Sequence, residues 1–408
     1  MSCNDDVLSE DTPFDYALDY VEISDVDEVN GIAGSEVMQF KDAPSRARRL
    51  VRDGDIILST VRTYLRAIAA IASPPDNLVV STGFAVLRPR HINSKYARYA
   101  VAYDGFIQEV ISRSKGISYP AINASELVRI ALPVPPADEQ QAISDYLETE
   151  TARIDALIRE KVGLIELLGE YRQSVATDAV VRGLNPNCPM TQIDGGFKSI
   201  PTHWEMICLK RFVRVVGGHT PSTENPRYWN GDIPWVSPKD MKRDELSDSI
   251  DHVTHAAVSD CGLAVLEAGA TLVVVRGMIL AHSFPVARNM VPVTINQDMK
   301  AIRPVEKVLP EYLPWLLRGV KSVILSLTEQ SAHGTLALRT DKFFGEALPI
   351  PPIEEQSTIV DYLNVELPRI DELVAHASKE VKLLKELRAA TIADAVLGRI
   401  DVRQTSRQ

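Results

Sequence analysis

The stretch ALPVPPADEQQAISDYLETETARIDALIREKVGLIELLGEYRQSVATDAV, at residues 131–180, returns without a gap at residues 347–396 as ALPIPPIEEQSTIVDYLNVELPRIDELVAHASKEVKLLKELRAATIADAV. Both copies contain a Leu-Pro-x-Pro-Pro-x-x-Glu-Gln motif, at 132–140 and 348–356. Solenoid repeats have periods of about 20–50 residues, which is far shorter than this separation. The chain therefore contains a duplicated domain, and each copy is followed by a long helix.

The proline motif separates each domain from its helix. Proline lacks an amide proton and holds the preceding residue in extended geometry, so no helix crosses the motif. Apolar residues then recur at three- and four-residue steps, which is typical of a coiled-coil seam. Gly163 and Gly169 weaken the first helix, so the two helices are expected to pack on each other. The residues assigned to the core of this helix pair, or alternatively to contact with a partner, are Tyr146, Leu147, Ile154, Leu157, Tyr362, Leu363, Ile370 and Leu373.

The part of each copy before the motif has a mixed pattern. Short β-branched runs bounded by Gly, Pro and Asp predict strands at 55–59, 85–87, 271–275 and 299–302. Residues 96–113 and 311–327 are predicted to be single helices. The expected fold class is α+β. The predicted boundaries are a first domain at 1–136, a first spacer helix at 137–182, a linker at 183–199, a second domain at 200–352 and a second spacer helix at 353–400.

The charge of the chain is unevenly distributed. The net charge is −11, but residues 1–40 hold eleven acids and no Lys or Arg, and the rest carries 44 acids against 44 bases. Basic residues follow at once, from Lys41 to Arg90. Affinity for DNA depends on local basic surface, so the net charge does not exclude it. The acidic run is interpreted as a solvated tail or as a contact to a basic partner.

Several locations and chemistries have no support in the sequence. No apolar run of about 18 residues is present, so no membrane span is expected. The acidic N-terminus is unlike a secretory signal and the four cysteines are scattered, so a cytoplasmic location is expected. The chain lacks a phosphate-binding loop and a dinucleotide fingerprint. His252 and His255 have no third ligand, so we expect no metal site. The chain is therefore not expected to be catalytic.

Several elements resemble the DNA specificity subunit of type I restriction-modification systems. They are Ile200-Pro201 with Trp204, the stretch GGHTPS at 217–222, Asn225-Pro226 with Tyr228-Trp229, the stretch GDIPWV at 231–236, and both proline motifs. The resemblance covers nearly the whole chain. It implies two target recognition domains joined by two long antiparallel helices with an internal pseudo-twofold repeat. The first domain departs from the family pattern, because only nineteen residues precede Tyr20 and no counterpart of Trp204 is found there.

The resemblance also implies partners and a division of labour. Double-stranded DNA would be read as a bipartite target, and two methyltransferase subunits and restriction subunits would perform the chemistry. This chain would bind no cofactor, whereas S-adenosylmethionine, ATP and Mg²⁺ would belong to the partner subunits. Two alternatives stay open: an orphan or half-inactive DNA-binding specificity protein, and a nuclease fused to recognition domains.

Candidate DNA contacts are polar and basic residues in loops between the short strands. Arg and Lys read guanine, Asn and Gln read adenine, and Ser, Thr, Lys and Arg hold phosphates. The alternative for each is a surface salt bridge or a turn cap. Arg62 and Arg276 are favoured because they recur in both copies, although both could simply support the preceding strand. The candidates are Arg62, Thr63, Tyr64, Arg66, Lys115, Ser118, Tyr119, Asn123, Lys210, Arg211, Thr220, Ser222, Thr223, Asn225, Arg227, Tyr228, Lys239, Arg276, Ser331, His333, Thr335 and Arg339.

Overall fold

The structure, a computed structural model, describes residues 1–27, 31–193, 195–330 and 335–405. The chain forms two compact units. Unit 1 comprises Met1–Leu164 and Ala377–Gln408, and unit 2 comprises Ile165–His376. Each unit combines one mixed domain with part of each long helix. No helix in the described ranges is long and apolar enough to span a membrane.

Unit 1 contains two four-stranded sheets. One has the strand order β1-β10-β7-β8, and the other has the order β5-β2-β9-β6 with β2 parallel to β9. The strands are β1 (Ser2–Cys3), β2 (Ala17–Val21), β3 (Val26–Asp27), β4 (Gly31–Ile32), β5 (Glu36–Gln39), β6 (Ala47–Leu50), β7 (Ile56–Ser59), β8 (Ile68–Ala70), β9 (Leu78–Ser81) and β10 (Phe84–Arg88). The helices are α1 (Ser94–Ala102), α2 (Asp104–Arg113), α3 (Ala124–Leu127), the first part of α4 (Ala137–Arg182) and α10 (Val402–Thr405).

Unit 2 is built around a five-stranded sheet of order β14-β21-β18-β19-β16. The strands are β11 (Met190–Gln192), β12 (Ser199–Pro201), β13 (Glu205–Cys208), β14 (Val213–Gly217), β15 (Trp229–Val236), β16 (Glu245–Leu246), β17 (Asp251–Val253), β18 (Thr271–Val274), β19 (Val286–Asn289), β20 (Thr294–Ile295), β21 (Met299–Pro304), β22 (Thr328–Gln330), β23 (Leu336–Leu338) and β24 (Ala347–Ile350). The helices are α5 (His255–Cys261), α6 (Tyr312–Gly319), α7 (Lys321–Leu325), α8 (Thr340–Gly345) and α9 (Ile353–Val396), whose last part lies in unit 1.

The sheet topology repeats between the units. The order β1-β10-β7-β8 matches β14-β21-β18-β19, and the parallel pair β2–β9 matches β15–β20. The four predicted strands are present as β7, β10, β18 and β21. The expected α+β class with an internal repeat is therefore confirmed.

The two predicted single helices are wrong, because each is broken near its middle. Tyr103 has extended geometry and separates α1 from α2, while Val320 separates α6 from α7. Gly319 ends α6 in close contact with the backbone of Ala176 and the side chain of Val180 in α4. A Cβ at position 319 would collide with both, so glycine allows α6 to pack against this end of α4.

Ion pairs within each unit show that α4 and α9 run antiparallel. In unit 1, Asp155 pairs with Arg388 at 2.8 Å and Lys161 pairs with Glu380 at 2.6 Å. In unit 2, Arg172 pairs with the carboxylate of Asp371 at 2.7 Å. Asp155 and Asp371 are repeat equivalents, and so are Arg172 and Arg388. The same contact is therefore made twice with the roles of the two helices exchanged.

The apolar residues of the helix pair differ in burial. Leu147 and Ile154 of α4, and Leu363 and Ile370 of α9, are at most 3% exposed. Tyr146 and Leu157 are half-buried. Tyr362 and Leu373 are 38% and 55% exposed, so their rings and methyl groups remain available for contact outside this helix pair.

The first residues of the acidic run are folded onto unit 1, so the solvated-tail interpretation is wrong for them. Strand β1 pairs with β10. The acids that follow β1 therefore lie near the basic residues at and just beyond the end of β10. Asp6 pairs with Arg88 at 2.6 Å and Asp5 pairs with Arg90 at 2.9 Å. Arg88 also binds the buried Asp55 at 2.7 Å. Part of the basic run is thereby neutralised within the unit.

This arrangement predicts acid sensitivity of unit 1. The pKa of Asp6 lies below its ordinary value, chiefly because its carboxylate accepts a hydrogen bond from Arg88. A group with a depressed pKa stabilises the folded state above its unfolded pKa, and the contribution is lost as pH falls through the folded pKa. We expect unit 1 to lose stability below about pH 4. Chemical unfolding followed by circular dichroism should show a shallower pH dependence for Asp6→Asn; equal slopes would contradict the assignment.

Candidate nucleic-acid interface

In unit 1 the chain leaves β7 through a strained turn that presents Arg62. The Oγ of Ser59 donates a hydrogen bond to the carbonyl of Val61 at 2.6 Å and holds the start of the turn. Arg62 and Arg66 flank a 3-10 turn at Thr63–Leu65, with φ angles of 50° and 54°. Left-handed geometry is costly for residues with a side chain and often marks functional turns. The Arg62 side chain is exposed at this point.

A loop at residues 114–121 lies directly against this turn. The amide of Arg62 donates to the carbonyl of Pro120 at 2.8 Å, and the hydroxyls of Thr63 and Ser114 are 3.0 Å apart. The guanidinium of Arg62 lies 4.5 Å from the ring centroid of Tyr119. Cation–π contact of this kind orients the arginine without neutralising its charge. Turn and loop therefore form one surface.

The other candidates of unit 1 are distributed around this surface. Tyr64, Lys115, Ser118 and Tyr119 are exposed beside Arg62. Thr63 is 4% exposed, so it supports the turn from inside. Arg66 pairs with Asp104. Asn123 is exposed at the start of α3 without capping it.

Unit 2 repeats this arrangement after β18. Arg276 is exposed and followed by Gly277, whose φ of 140° leads into a 3-10 turn at Met278–Ala281. The turn is held by β23, because the amide of Gly277 donates to the carbonyl of Leu336 at 2.9 Å. Thr335 is half-buried at the start of this strand. The predicted contacts Ser331 and His333 lie outside the described residues.

A second loop of unit 2, at residues 219–229, joins the Arg276 turn through the segment 295–298. The amide of His219 donates to Ile295 at 3.0 Å, and Thr220 donates to Gln297. The amide of Val275 donates to the carbonyl of Asp298 at 2.8 Å. Arg276 itself lies 3.9 Å from the carboxylate of Asp298.

Two tryptophans shape the 219–229 loop. The indole of Trp229 donates to the carbonyl of Ser222 at 3.0 Å, and that of Trp235 donates to His219 at 3.1 Å. Their rings meet edge to face at 5.1 Å. The remaining candidates of this loop are placed as follows: Ser222, Thr223 and Arg227 are exposed, Tyr228 is half-buried, and Asn225 accepts a hydrogen bond from the amide of Arg227 at 3.1 Å.

Four candidates of unit 2 have other surroundings. Lys210 and Arg211 are exposed on a 3-10 turn that packs against α8. Lys239 pairs with Asp251 at 2.5 Å. Arg339 pairs with Asp341 at 2.8 Å, and this contact lowers the pKa of the Asp341 carboxyl to about 2. The positive charges of Lys239 and Arg339 are in part compensated locally. Contact of all four residues with DNA stays a prediction.

Exposed apolar residues on these surfaces were not predicted from the sequence. Leu65 and Ile117 in unit 1 are 56% and 103% exposed, and Met278 in unit 2 is 62% exposed. Apolar side chains of this kind can contact the methyl group of thymine. The available signal was their position in loops otherwise rich in polar residues.

The glutamine of each proline motif was also missed, and it attaches the preceding mixed domain to its helix. The buried amide of Gln356 accepts the amide proton of Leu309 at 2.8 Å and donates to the carbonyls of Lys307 and Pro351 at 2.6 and 2.9 Å. Gln140 accepts the amide proton of Asn93 at 2.8 Å. The only available signal was the exact recurrence of Glu-Gln after both proline runs.

The histidines considered as metal ligands have carboxylate neighbours. His252 lies 2.7 Å from Asp248, and His255 lies 3.6 Å from Asp232. Over the described ranges, no group of three or more His, Cys, Asp or Glu side chains is arranged to hold a metal ion.

A family model described as "Type I restriction modification DNA specificity domain" matches residues 24–166 and 201–382, which is more than half of the chain. The two matches fall on the two copies of the repeat. The chain therefore belongs to this family.

Curated relatives agree with the family match. A stretch of 169 residues is 36% identical to the type I restriction enzyme EcoR124I/EcoR124II specificity subunit of Escherichia coli, covering 41% of this chain and 41% of that protein. A stretch of 192 residues is 32% identical to the MjaIX specificity subunit of Methanocaldococcus jannaschii, covering 46% of this chain and 42% of that protein. The chain thus spans about four tenths of the length of these two relatives.

A solved structure shares the fold over nearly the full length. It was described under the complex assembly and conformational transition of the type I R-M system. It matches with a TM-score of 0.75 at 21% identity, covering 96% of this chain and 94% of that chain. At this identity the likeness establishes the fold.

Proposed function

We propose that this chain is the DNA sequence-recognition subunit of a type I restriction-modification complex and reads a bipartite target. The observation that carries the proposal is the repeated surface: in both units an exposed arginine follows a buried strand and enters a 3-10 turn held by the loop or strand before the proline motif. Two such surfaces in one chain suit two half-sites.

The charges of these surfaces favour nucleic acid as the ligand. Within the part of the chain that the structure describes, Arg62, Lys115 and Arg227 form no ion pair with a carboxylate. Uncompensated guanidinium and ammonium groups attract phosphates and donate to guanine in the major groove. Exposed Tyr64 and Tyr119 add donors and flat apolar surface beside them.

Under this proposal the chain itself performs no chemistry. Two methyltransferase subunits would supply adenine methylation with S-adenosylmethionine, and restriction subunits would supply ATP- and Mg²⁺-dependent cleavage of DNA in the cytoplasm. The exposed Tyr362 and Leu373 of α9 are proposed to contact a methyltransferase subunit, because apolar side chains on a helix surface favour protein partners.

The proposal is tested by reconstitution with methyltransferase subunits of the same type I system. Methylation should require the chain, and sequencing of methylated DNA should give one motif with two separated halves. Sequence-specific methylation by the partners alone would refute the recognition role. A continuous motif would refute the bipartite reading.

Replacing Arg62 with alanine should weaken binding of the reconstituted complex to its target by about 5- to 150-fold, as expected for one specific base contact. On DNA in which the half of the target read by unit 1 is scrambled, the Arg62→Ala and parent complexes should bind with equal affinity. Fluorescence anisotropy at fixed salt measures both values.

A matched control is Arg46→Ala in the same unit. Arg46 is also exposed but contacts Glu22 and the hydroxyl of Tyr20 at 3.3 Å, so it should change affinity less than about threefold. Equal losses of affinity for Arg46→Ala and Arg62→Ala would contradict the assignment of Arg62 as a specific reader. The assignment would also fail if scrambling either half of the target abolished the effect of Arg62→Ala.

A further inference from the structure

A short turn between β20 and β21 lies at the centre of the candidate interface of unit 2. The amide of Met299 donates to the carbonyl of Asn296 at 3.3 Å and closes the turn. The side chain of Asn296 is buried, and its Oδ1 accepts the amide proton of Asp298 at 3.1 Å. Asparagine stabilises turns through side-chain bonds of this kind. Gln297 and Asp298 are therefore the two central residues of the turn.

The surrounding backbone holds this turn from three segments. The carbonyl of Asp298 accepts the amide proton of Val275 at 2.8 Å, and the amide of Asn296 donates to the carbonyl of Val236 at 3.0 Å. Gly218 of the GGHTPS stretch lies so close that a Cβ there would be 1.9 Å from the carbonyl oxygen of Asn296. Only glycine allows this approach. The position of the turn is thus set by packing of the backbone.

The side chain of Gln297 is exposed on this turn, and its amide is oriented by a neighbour. The hydroxyl of Thr220 donates a hydrogen bond to Oε1 of Gln297. An amide oxygen has two lone pairs, so Oε1 can accept a second hydrogen bond, and Nε2 carries two donors. The next residue, Asp298, places its carboxylate 3.9 Å from the guanidinium of Arg276. Gln297 and Arg276 therefore belong to the same surface.

Unit 1 contains the same turn between β9 and β10. The carbonyl of Gly83 accepts the amide proton of Thr60 at 2.8 Å, and the hydroxyl of Ser81 accepts the amide proton of Gly83 at 3.3 Å. Thr82 has the exposed position that Gln297 has in unit 2. The two units thus share the backbone of the turn and differ in its exposed side chain. A constant backbone with a variable side chain suits a position that determines specificity.

We propose that Gln297 is a specificity-determining residue of unit 2 and reads an adenine in the major groove, beside the contact made by Arg276. This inference rests on the proposed function. A glutamine amide forms two hydrogen bonds with adenine, because Oε1 accepts from N6 and Nε2 donates to N7. The bond from Thr220 orients the amide before DNA binds, so less side-chain freedom is lost on binding. The shorter Thr82 of unit 1 has no amide with which to form this pair.

The test uses the full chain reconstituted with methyltransferase subunits of the same type I system. Its DNA duplexes carry each of the four base pairs in turn at every position of one half of the target, namely the half that does not respond to Arg62→Ala. The parent complex should prefer adenine at one of these positions. Gln297→Ala should weaken binding of the target about 5- to 150-fold and should abolish the preference at that position alone. Fluorescence anisotropy at fixed salt measures both effects.

A modified base separates direct contact from support of the turn. The analogue 7-deazaadenine pairs normally with thymine but lacks the N7 acceptor. At the position read by Gln297, it should weaken binding of the parent complex at least about fivefold. It should leave the affinity of the Gln297→Ala complex unchanged. A glutamine that only supported the turn would not produce this difference.

A conservative variant and a matched control complete the experiment. Gln297→Glu keeps the size of the side chain and can still accept the hydrogen bond from Thr220, but a carboxylate cannot donate to N7. It should shift the preference at the same position from adenine to cytosine, whose N4 amino group donates to carboxylates. Gln192→Ala is the matched control, because Gln192 is also exposed but lies in the two-stranded sheet of β11 and β12. It should bind like the parent chain.

The outcomes distinguish this inference from the proposed function. Unchanged base preferences in the Gln297→Ala and Gln297→Glu complexes would overturn the inference and leave bipartite recognition intact. An equal effect of 7-deazaadenine on the parent and Gln297→Ala complexes would also overturn it. Absence of a bipartite motif with the parent complex would refute the proposed function and, with it, the role of Gln297.

Discussion

Replacing Gln356 with leucine should lower the free energy of unfolding of unit 2 by about 3–5 kcal/mol. The side chain is fully buried, and its amide satisfies the amide of Leu309 and the carbonyls of Lys307 and Pro351. Leucine has a similar size but no polar atoms, so three backbone groups would lose their partners. A buried group left unsatisfied costs about 1–3 kcal/mol.

The measurement is urea unfolding followed by tryptophan fluorescence. Trp204, Trp229, Trp235 and Trp315 are the four tryptophans of the chain and all lie in unit 2, so this signal reports on that unit. The matched control is Gln140→Leu in unit 1, which should leave the tryptophan transition unchanged. A Gln356→Leu transition that coincides with that of the parent chain would show that the glutamine does not stabilise the junction.

Replacing Arg388 with methionine should destabilise unit 1 by about 3–5 kcal/mol. The side chains of Arg388 and Asp155 are only 9% and 13% exposed, and their contact at 2.8 Å joins α4 to α9. Removing the arginine leaves a carboxylate that is almost fully buried without a counter-charge. Thermal unfolding followed by circular dichroism should show the loss.

The repeat provides the control for this prediction. Arg172→Met breaks the equivalent pair, in which the side chains of Arg172 and Asp371 are 34% and 53% exposed. This change should lower the free energy of unfolding by only about 0–1 kcal/mol. The double change Asp155→Leu with Arg388→Met should recover most of the stability, because an apolar pair can replace a buried ion pair. Equal losses for Arg388→Met and Arg172→Met would show that burial does not decide the strength of these pairs.

Patterns that are local in sequence predicted a large part of the fold. Leu132 to Gln140 and its second copy revealed the duplication, and the short β-branched runs became β7, β10, β18 and β21. The long helices follow from apolar spacing and from prolines that prevent earlier helix formation. The breaks at Tyr103 and Val320 were missed. The second accompanies the close packing of Gly319 against α4, a contact between segments that are distant in sequence.

The candidate interface was predicted in part. Arg62 and Arg276 were selected because they recur, and the structure places each at the entrance to a 3-10 turn. Sequence spacing could not predict the contact between Arg62 and Tyr119, because the two residues are far apart in sequence. The same holds for the contact between Thr220 and the segment beside Arg276. The chance that a charged residue is already paired also depends on the fold, as Arg88 with Asp6 illustrates.

The sequence by itself determined the duplication, the two long helices, four of the strands and the family, because these rest on residue order and on periodicity along one chain. Only the tertiary structure decided which charges are buried and which are neutralised. Those properties arise from contacts between distant segments, so the buried Asp155–Arg388 pair became visible only once the chain was folded.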